Sequence, residues 1–200
     1  MRLPRTDHTD RPWRIHEIAD DFTVEDVWAL PTPGGPDDLA LLVGQFAEGI
    51  KGGVEGNGVV SRLLFSVRRK LGAVFGWDKP DPDTAVRRPC LRDRLPADLR
   101  DGPRGPDLGS SQFTSLYQLK DEWAAETANK TVQAVMHIGW VPDGSGGYRG
   151  QMAVLVKPNG LFGSLYMAAI KPFRYLAVYP ALIRSIGREW EANATRRSVS

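Results

Sequence analysis

From Phe113 to Trp190 the chain runs through four strand-like segments separated by short turns, then passes into a long amphipathic helical stretch. That order restricts the fold more than any other feature. Strands joined by short turns pair antiparallel with their neighbours, and a following amphipathic helix must lay its apolar stripe on the sheet they form. Phe113 to Leu119 alternates, with Phe113, Ser115, Tyr117 and Leu119 on one face. Lys120-Asp121 reads as a tight turn, Glu122 to Thr127 as the second run and Asn129-Lys130 as the next turn. Thr131 to Val141 is the strongest strand, and Tyr148 to Val156 returns after the turn-rich Pro142 to Gly147. Pairing Val141 with Tyr148 places His137 opposite Met152 and Val135 opposite Val154, with Trp140 facing Arg149 and Ile138 facing Gln151 on the other side. Both faces carry apolar residues, so both are expected to be covered, one of them by a subunit interface.

The closing helix is expected to start at Asn159, with Phe162, Leu165, Tyr166, Ala169, Ile170 and Phe173 as its stripe and a kink at Pro172. Leu182, Ile183, Ile186 and Trp190 continue on one side of a further segment. Upstream, Trp13 to Ile18 reads as a short strand. Asp37 and Asp38 precede a helix that carries Leu39, Leu42, Val43, Phe46 and Ile50 at helical spacing. Gly52 to Gly58 is a flexible break, and a second helix follows with Val60, Leu63, Leu64, Val67, Leu71, Val74 and Phe75 on one face. The fold class is therefore α+β: an antiparallel meander with N-terminal helices and a kinked C-terminal helix packed on the sheet. Residues 1–200 read as a single domain, with flexible ends at 1–12 and 193–200 and a long Pro/Gly/Arg/Asp-rich crossing over 80–110 that holds one helical turn near Pro96 to Arg100.

Bulk properties mainly exclude. A net charge of +2 gives no strong pull toward nucleic acid. The basic face of the second helix (Arg62, Arg68, Arg69, Lys70) lacks interleaved aromatics and reads as solvated. No run reaches the ~20 apolar residues of a membrane span. Met1 to Pro12 has no apolar core of a secretory signal, so a cytoplasmic protein is expected, and Asn129 and Asn193 head chance glycosylation matches. Cys90 is the single cysteine, so no intrachain disulfide can form. Arg87, Arg88 and Arg92 beside it would favour its thiolate, although no histidine lies near it in sequence and it reads as non-catalytic. Three histidines and no clustered acids leave no metal centre, and no glycine-rich loop follows a strand, so no cofactor is expected.

Several stretches resemble a bacterial, actinobacterial-type family of unknown function: Glu25 to Pro31, Leu91 to Pro96, Asp121 to Glu126 with Asn129-Lys130-Thr131, His137 to Trp140, and Gly163 to Arg174. The resemblance spans Ile15 to Trp190 and brings no established activity. Some relatives of that kind are joined to NAD(P)-binding, epimerase-like domains; with no glycine-rich dinucleotide motif after a strand, no such domain is expected in these residues. The family's layout is similar to START-like (SRPBCC) helix-grip proteins, in which a curved antiparallel sheet wraps a C-terminal helix around a cavity. Pro172 and Pro180 depart from the single unbroken helix of that group.

The resulting expectation is a pocket between sheet and helix that takes a small hydrophobic or amphipathic molecule, lined by Val135, His137, Met152, Val154, Tyr166, Ile170, Arg174 and Tyr175. His137 reads either as a general base or as a core histidine satisfied by backbone or water, the second being favoured. Lys171, Arg174 and Tyr175 at the kink would suit an anionic ligand head or form a charged helix surface. Glu122 and Glu126 share a strand face, read as solvated or arginine-paired rather than as an acid pair. Two alternatives accompany ligand binding. One is a cyclase, dehydratase or hydrolase in the same pocket with His137 as base. The other is an interaction protein or homodimer without a ligand.

Overall fold

The computed structural model of the protein describes residues 1–55, 90–108, 113–128, 132–158 and 179–199. Its centre is a six-stranded antiparallel sheet of β1 (Arg2–Leu3), β2 (Thr23–Ala29), β3 (Thr114–Gln118), β4 (Glu122–Ala128), β5 (Val132–Pro142) and β6 (Tyr148–Pro158). The spatial order is β1-β2-β6-β5-β4-β3. Thus β3 to β6 form the expected meander, and β2, the first long strand, lies beside β6, the last. The helices are α1 (Thr6–Thr9), α2 (Ile15–Ile18), α3 (Leu39–Glu55), α4 (Ala97–Arg100) and α5 (Tyr179–Val199), with a 3-10 turn at Leu91–Arg94. The α+β class with a C-terminal helix on an antiparallel sheet is therefore observed.

Both faces of the sheet are covered by the chain itself, which explains why β5 and β6 are apolar at odd and even positions alike. On one face α3 and α5 bury Leu39, Leu42, Val43, Ile183, Ile186 and Trp190 against Trp28, Trp123, Ile138, Trp140 and Met152. Indole N–H groups tie the proline-rich turn after β2 to this layer. Trp140 Nε1 donates to Gly35 O at 2.8 Å and Trp190 Nε1 to Pro33 O at 2.9 Å. On the other face the N-terminal segment and the 90–100 crossing bury Trp13, Ile15, Ile18, Leu91, Leu95 and Leu99 against Val27, Tyr117, Ala124, Val135, Ala153 and Leu155. No partner subunit is needed there, which removes the ground for an interface on that face.

The strand register differs from the expected one by a single residue, and the difference decides which side chains meet. Pro142 pairs with Tyr148, so His137 lies opposite Ala153, Val135 opposite Leu155 and Ile138 opposite Met152. The cause sits in the loop. Asp143 accepts from Ser145 N at 2.7 Å and Gly147 N at 3.1 Å, and its own N–H donates to Gly147 O at 3.0 Å. Gly144 and Gly146 take φ of 86° and 97°, which glycine allows without a Cβ clash. This closure keeps Asp143 to Gly147 in the loop, and a one-residue slip on a strand moves side chains to the opposite face.

Other expectations change too. Trp13 to Ile18 is not a strand. Its last four residues form α2, burying Ile15 and Ile18, while Trp13 lies over Gly139, where a Cβ would come within 2.6 Å of the ring. Residues 1–12 are not a loose end, since they hold β1 and α1 and bury His8 completely. Residues 193–199 continue α5. Helix α3 runs through Gly52 and Gly53 to Glu55 rather than breaking at Gly52. In β3 a bulge between Ser115 and Tyr117 sends them to opposite faces: Ser115 accepts from Trp123 Nε1 on the α5 side, and Tyr117 packs with Ala124 on the other. The second basic helix, the Asn159 cap and the Pro172 kink lie outside the described residues.

Candidate functional site

All three histidines of the chain converge under the N-terminal segment. β5 presents His137 on the face covered by α1 and α2, and β4 presents Glu122 two strand positions away on the same face. His137 Nε2 is 2.9 Å from Glu122 Oε2, and His137 Nδ1 is 3.1 Å from His8 Nε2. Tyr117 Oη donates to Glu122 Oε2 at 3.1 Å, and the Arg14 backbone N–H donates to Glu122 Oε1 at 2.8 Å. The His8 ring meets His137 and His16 edge-on, each with centroids 4.9 Å apart, and the Trp13 ring lies 5.2 Å from His137. His8 and His137 are 0% exposed and Glu122 is 2% exposed.

The charge states follow from this geometry. Burial alone would push the Glu122 carboxyl up, but hydrogen bonds from His137, Arg14 N–H and Tyr117 hold it below its ordinary value. Burial lowers His137 despite Glu122, so carboxylate and neutral imidazole coexist. A carboxylate only accepts, so His137 carries its proton on Nε2 and offers Nδ1 to the His8 Nε2–H. His8 Nδ1 is then a bare acceptor, buried with no hydrogen-bond partner. Burial first, then His137 and His16, lower the His8 pKa to about 2. Tyr117 is raised by burial and by Glu122, so it remains a donor.

A second acid on the same face, Glu126, fixes the 90–100 crossing. It accepts from Leu91 N at 2.9 Å and from the Cys90 thiol. Burial and Glu126 push the Cys90 thiol up to about 11, so the thiolate suggested by its arginine neighbours does not form at neutral pH. Glu122 and Glu126 do share a face, as strand spacing requires, but that face is buried rather than solvated, and each acid serves a different covering segment. Sequence held little signal for the histidine chain, because His8 and His137 are 129 residues apart. The one available hint was the pair of acids flanking Ala124 in a strand that a meander must cover on both sides.

The expected pocket lining divides between the two faces. Val135 and His137 belong to the N-terminal side, Met152 and Val154 to the α5 side, and Tyr166, Ile170, Arg174 and Tyr175 lie outside the described residues. His137 therefore cannot serve as base in a pocket between the sheet and α5, and where it sits no substrate reaches it. On the α5 side one row across the sheet runs Asp26–Val154–Met136–Ala125. Asp26 is buried and accepts from Tyr179 Oη of α5 at 3.0 Å, while Val154 and Met136 remain partly exposed. The next row, Trp28–Met152–Ile138–Trp123, is fully buried. Between α3 and α5 lies an open groove of about 200 Å³ lined by Gln45, Glu48, Glu189, Ala192, Asn193 and Arg196.

These features define a two-sided α+β domain whose buried histidine chain fastens its own N-terminal segment. A family model described as "Protein of unknown function (DUF2867)" matches residues 18–181, and the chain belongs to that family. No curated protein and no solved structure matches it. No helix among the described residues is long and apolar enough to cross a membrane.

Proposed function

We propose that the protein is a small-molecule-binding domain that holds a hydrophobic or amphipathic ligand on the α5 side of the sheet. The observation that carries this reading is the half-covered row Val154–Met136 at mid-sheet, beside the buried Asp26–Tyr179 pair. Apolar strand side chains facing a helix layer are ordinarily sealed, as the neighbouring row is. A partly open apolar row ending in a carboxylate and a phenol supplies apolar contact together with polar orientation, the usual composition of a ligand site. The strand order supports the same reading: a first long strand beside the last, a four-strand meander and a closing helix are the layout of helix-grip domains. The likeness is one of fold alone.

The test is a titration of the methyl-labelled methionines with decanoate, alongside native mass spectrometry of the purified protein. The Met136 methyl resonance is expected to shift saturably, and Met136→Trp, which fills the row, is expected to abolish the shift of the Met152 methyl while the protein stays folded. Absence of any saturable shift at millimolar decanoate, together with a clean apo mass, overturns the proposal.

A further inference from the structure

We propose that residues 1–18 are an acid-released latch whose lock is the His8–His137–Glu122 chain. The lock is built from uncharged imidazoles: His137 must stay neutral to accept, and a charge on His8 would be buried. Glu122 fixes the proton of His137 on Nε2, His137 Nδ1 takes the His8 Nε2–H, and the chain ends at a bare, buried His8 Nδ1. A proton arriving at that atom creates a buried imidazolium whose ring neighbours are His16 and His137 at 4.9 Å and Trp13 at 6.5 Å, with the carboxylate one residue further away. Taking on such a charge favours the state in which His8 reaches water.

The described groups around His8 come from several elements. From α2 comes His16, and from β5 His137. β4 gives Glu122, the turn before it Asp121 and β3 Tyr117. The segment's own Arg14 is bonded to Glu17 and Asp98, and Arg5 is paired with Glu25 of β2. Among the described residues no carboxylate is bonded to the His8 ring. The segment is also suited to lift. β1 has 2 residues, and α1 and α2 have 4 each, so none holds its shape once detached. Detachment leaves the paired core of β2, β6, β5 and β4 unbroken. It also lays His137 Nδ1 and Glu122 open to solvent, giving the molecule a reachable histidine base only when the latch is up.

The sign is fixed by linkage. His8 titrates near 6.5 when released and far lower when closed, so closure is at full strength above pH 6.5 and weakens as pH falls below it. Between pH 7.5 and 5.0, where exposed carboxylates stay ionised, His8 alone raises the opening equilibrium about 30-fold, near tenfold per pH unit below 6.5. Amide exchange by NMR, corrected for intrinsic rates, reads this directly. Residues 6–18 are expected to lose that factor in protection while β5 and β6 hold theirs. His8→Gln keeps an N–H donor without a titrating ring, and His8→Phe keeps the volume without nitrogens; both are expected to remove about one power of ten per pH unit from the slope. Unchanged protection of residues 6–18 in the wild type, loss in parallel with the whole sheet, or a full wild-type slope in both variants overturns the proposal.

Discussion

Replacing Glu122 by glutamine tests the polar lock without changing its shape. Glu122 Oε2 receives His137 and Tyr117, and Oε1 receives the Arg14 N–H. A glutamine has one acceptor oxygen and one amide donor, so whichever way it turns, at least one buried donor faces another donor. The cheaper orientation leaves the oxygen toward His137 and Tyr117 and abandons the Arg14 N–H. One unsatisfied buried donor costs about 1–3 kcal/mol, and two bonds that change from charge-assisted to neutral lose ~1 kcal/mol each. Removing a buried charge returns part of this, because its desolvation no longer opposes folding. The net expectation is a loss of about 3 kcal/mol, or a fall of roughly 6–12 °C in Tm for a chain of this size. Urea unfolding at pH 7.5 with an unchanged m-value measures it, with Glu17→Gln as an exposed control that shifts by less than ~0.5 kcal/mol. Acid supplies a second signature. The folded-state value of Glu122 lies below 4.5, so its stabilisation is present above that pH and drains away beneath it, and variant and wild type converge in acid. A loss under about 1 kcal/mol at pH 7.5 refutes the account of Glu122 as the acceptor that organises this face.

Two further outcomes follow from close packing and thiol chemistry. Gly139→Ala sets a methyl group 2.6 and 2.8 Å from Trp13 ring carbons, so it is expected to cost about 1–3 kcal/mol and to raise exchange across residues 6–18, whereas retention of full wild-type stability means Trp13 does not lie over β5. With its thiol pushed up to about 11, Cys90 holds roughly a hundredfold less thiolate at pH 8 than an ordinary cysteine at 9.0, so labelling by iodoacetamide is expected to be slower by about that factor and to quicken in Glu126→Gln; labelling at the free-cysteine rate in the folded protein contradicts the Cys90–Glu126 contact.

The elements that announced themselves in the sequence are those held by local pattern. The strands β3 to β6 and the Ile183–Ile186–Trp190 stripe were legible because period-2 and period-3.6 spacing are intrinsic to them. β2 was not, because its bulge at Glu25 shifts Val24 and Asp26 out of step and masks the alternation. The β5–β6 register was lost to one side chain, Asp143, whose bonds set the loop length. The N-terminal segment was unreadable for another reason. Its short elements have no propensity to advertise and owe their structure to a sheet formed more than a hundred residues later, where Trp13 finds Gly139 and His8 finds His137. Glu122 and Glu126 show the limit of composition-based reasoning: an acid on a strand is usually wet, yet these two are dry because each closes a specific contact with a covering segment.

The two faces of the sheet are finished by different means, and this separates the two proposals. On the N-terminal side Glu122, His137, His8 and Tyr117 bond to one another, all but His8 Nδ1, and hold the chain's own segment, leaving no access while the segment is down. On the α5 side the buried polar groups among the described residues are few. Asp26 and Tyr179 meet at one end of an apolar row that the helices cover only in part. A ligand stacked on Met136 and Val154 touches no atom of the histidine chain, since the sheet stands between them and neighbouring side chains on a strand point to opposite faces. Decanoate binding should therefore leave the pH slope of residues 6–18 unchanged, and His8→Gln should leave the Met136 shift unchanged. A response of either face to the other's perturbation would mean that the strands themselves move, because among the described residues no side chain bridges them.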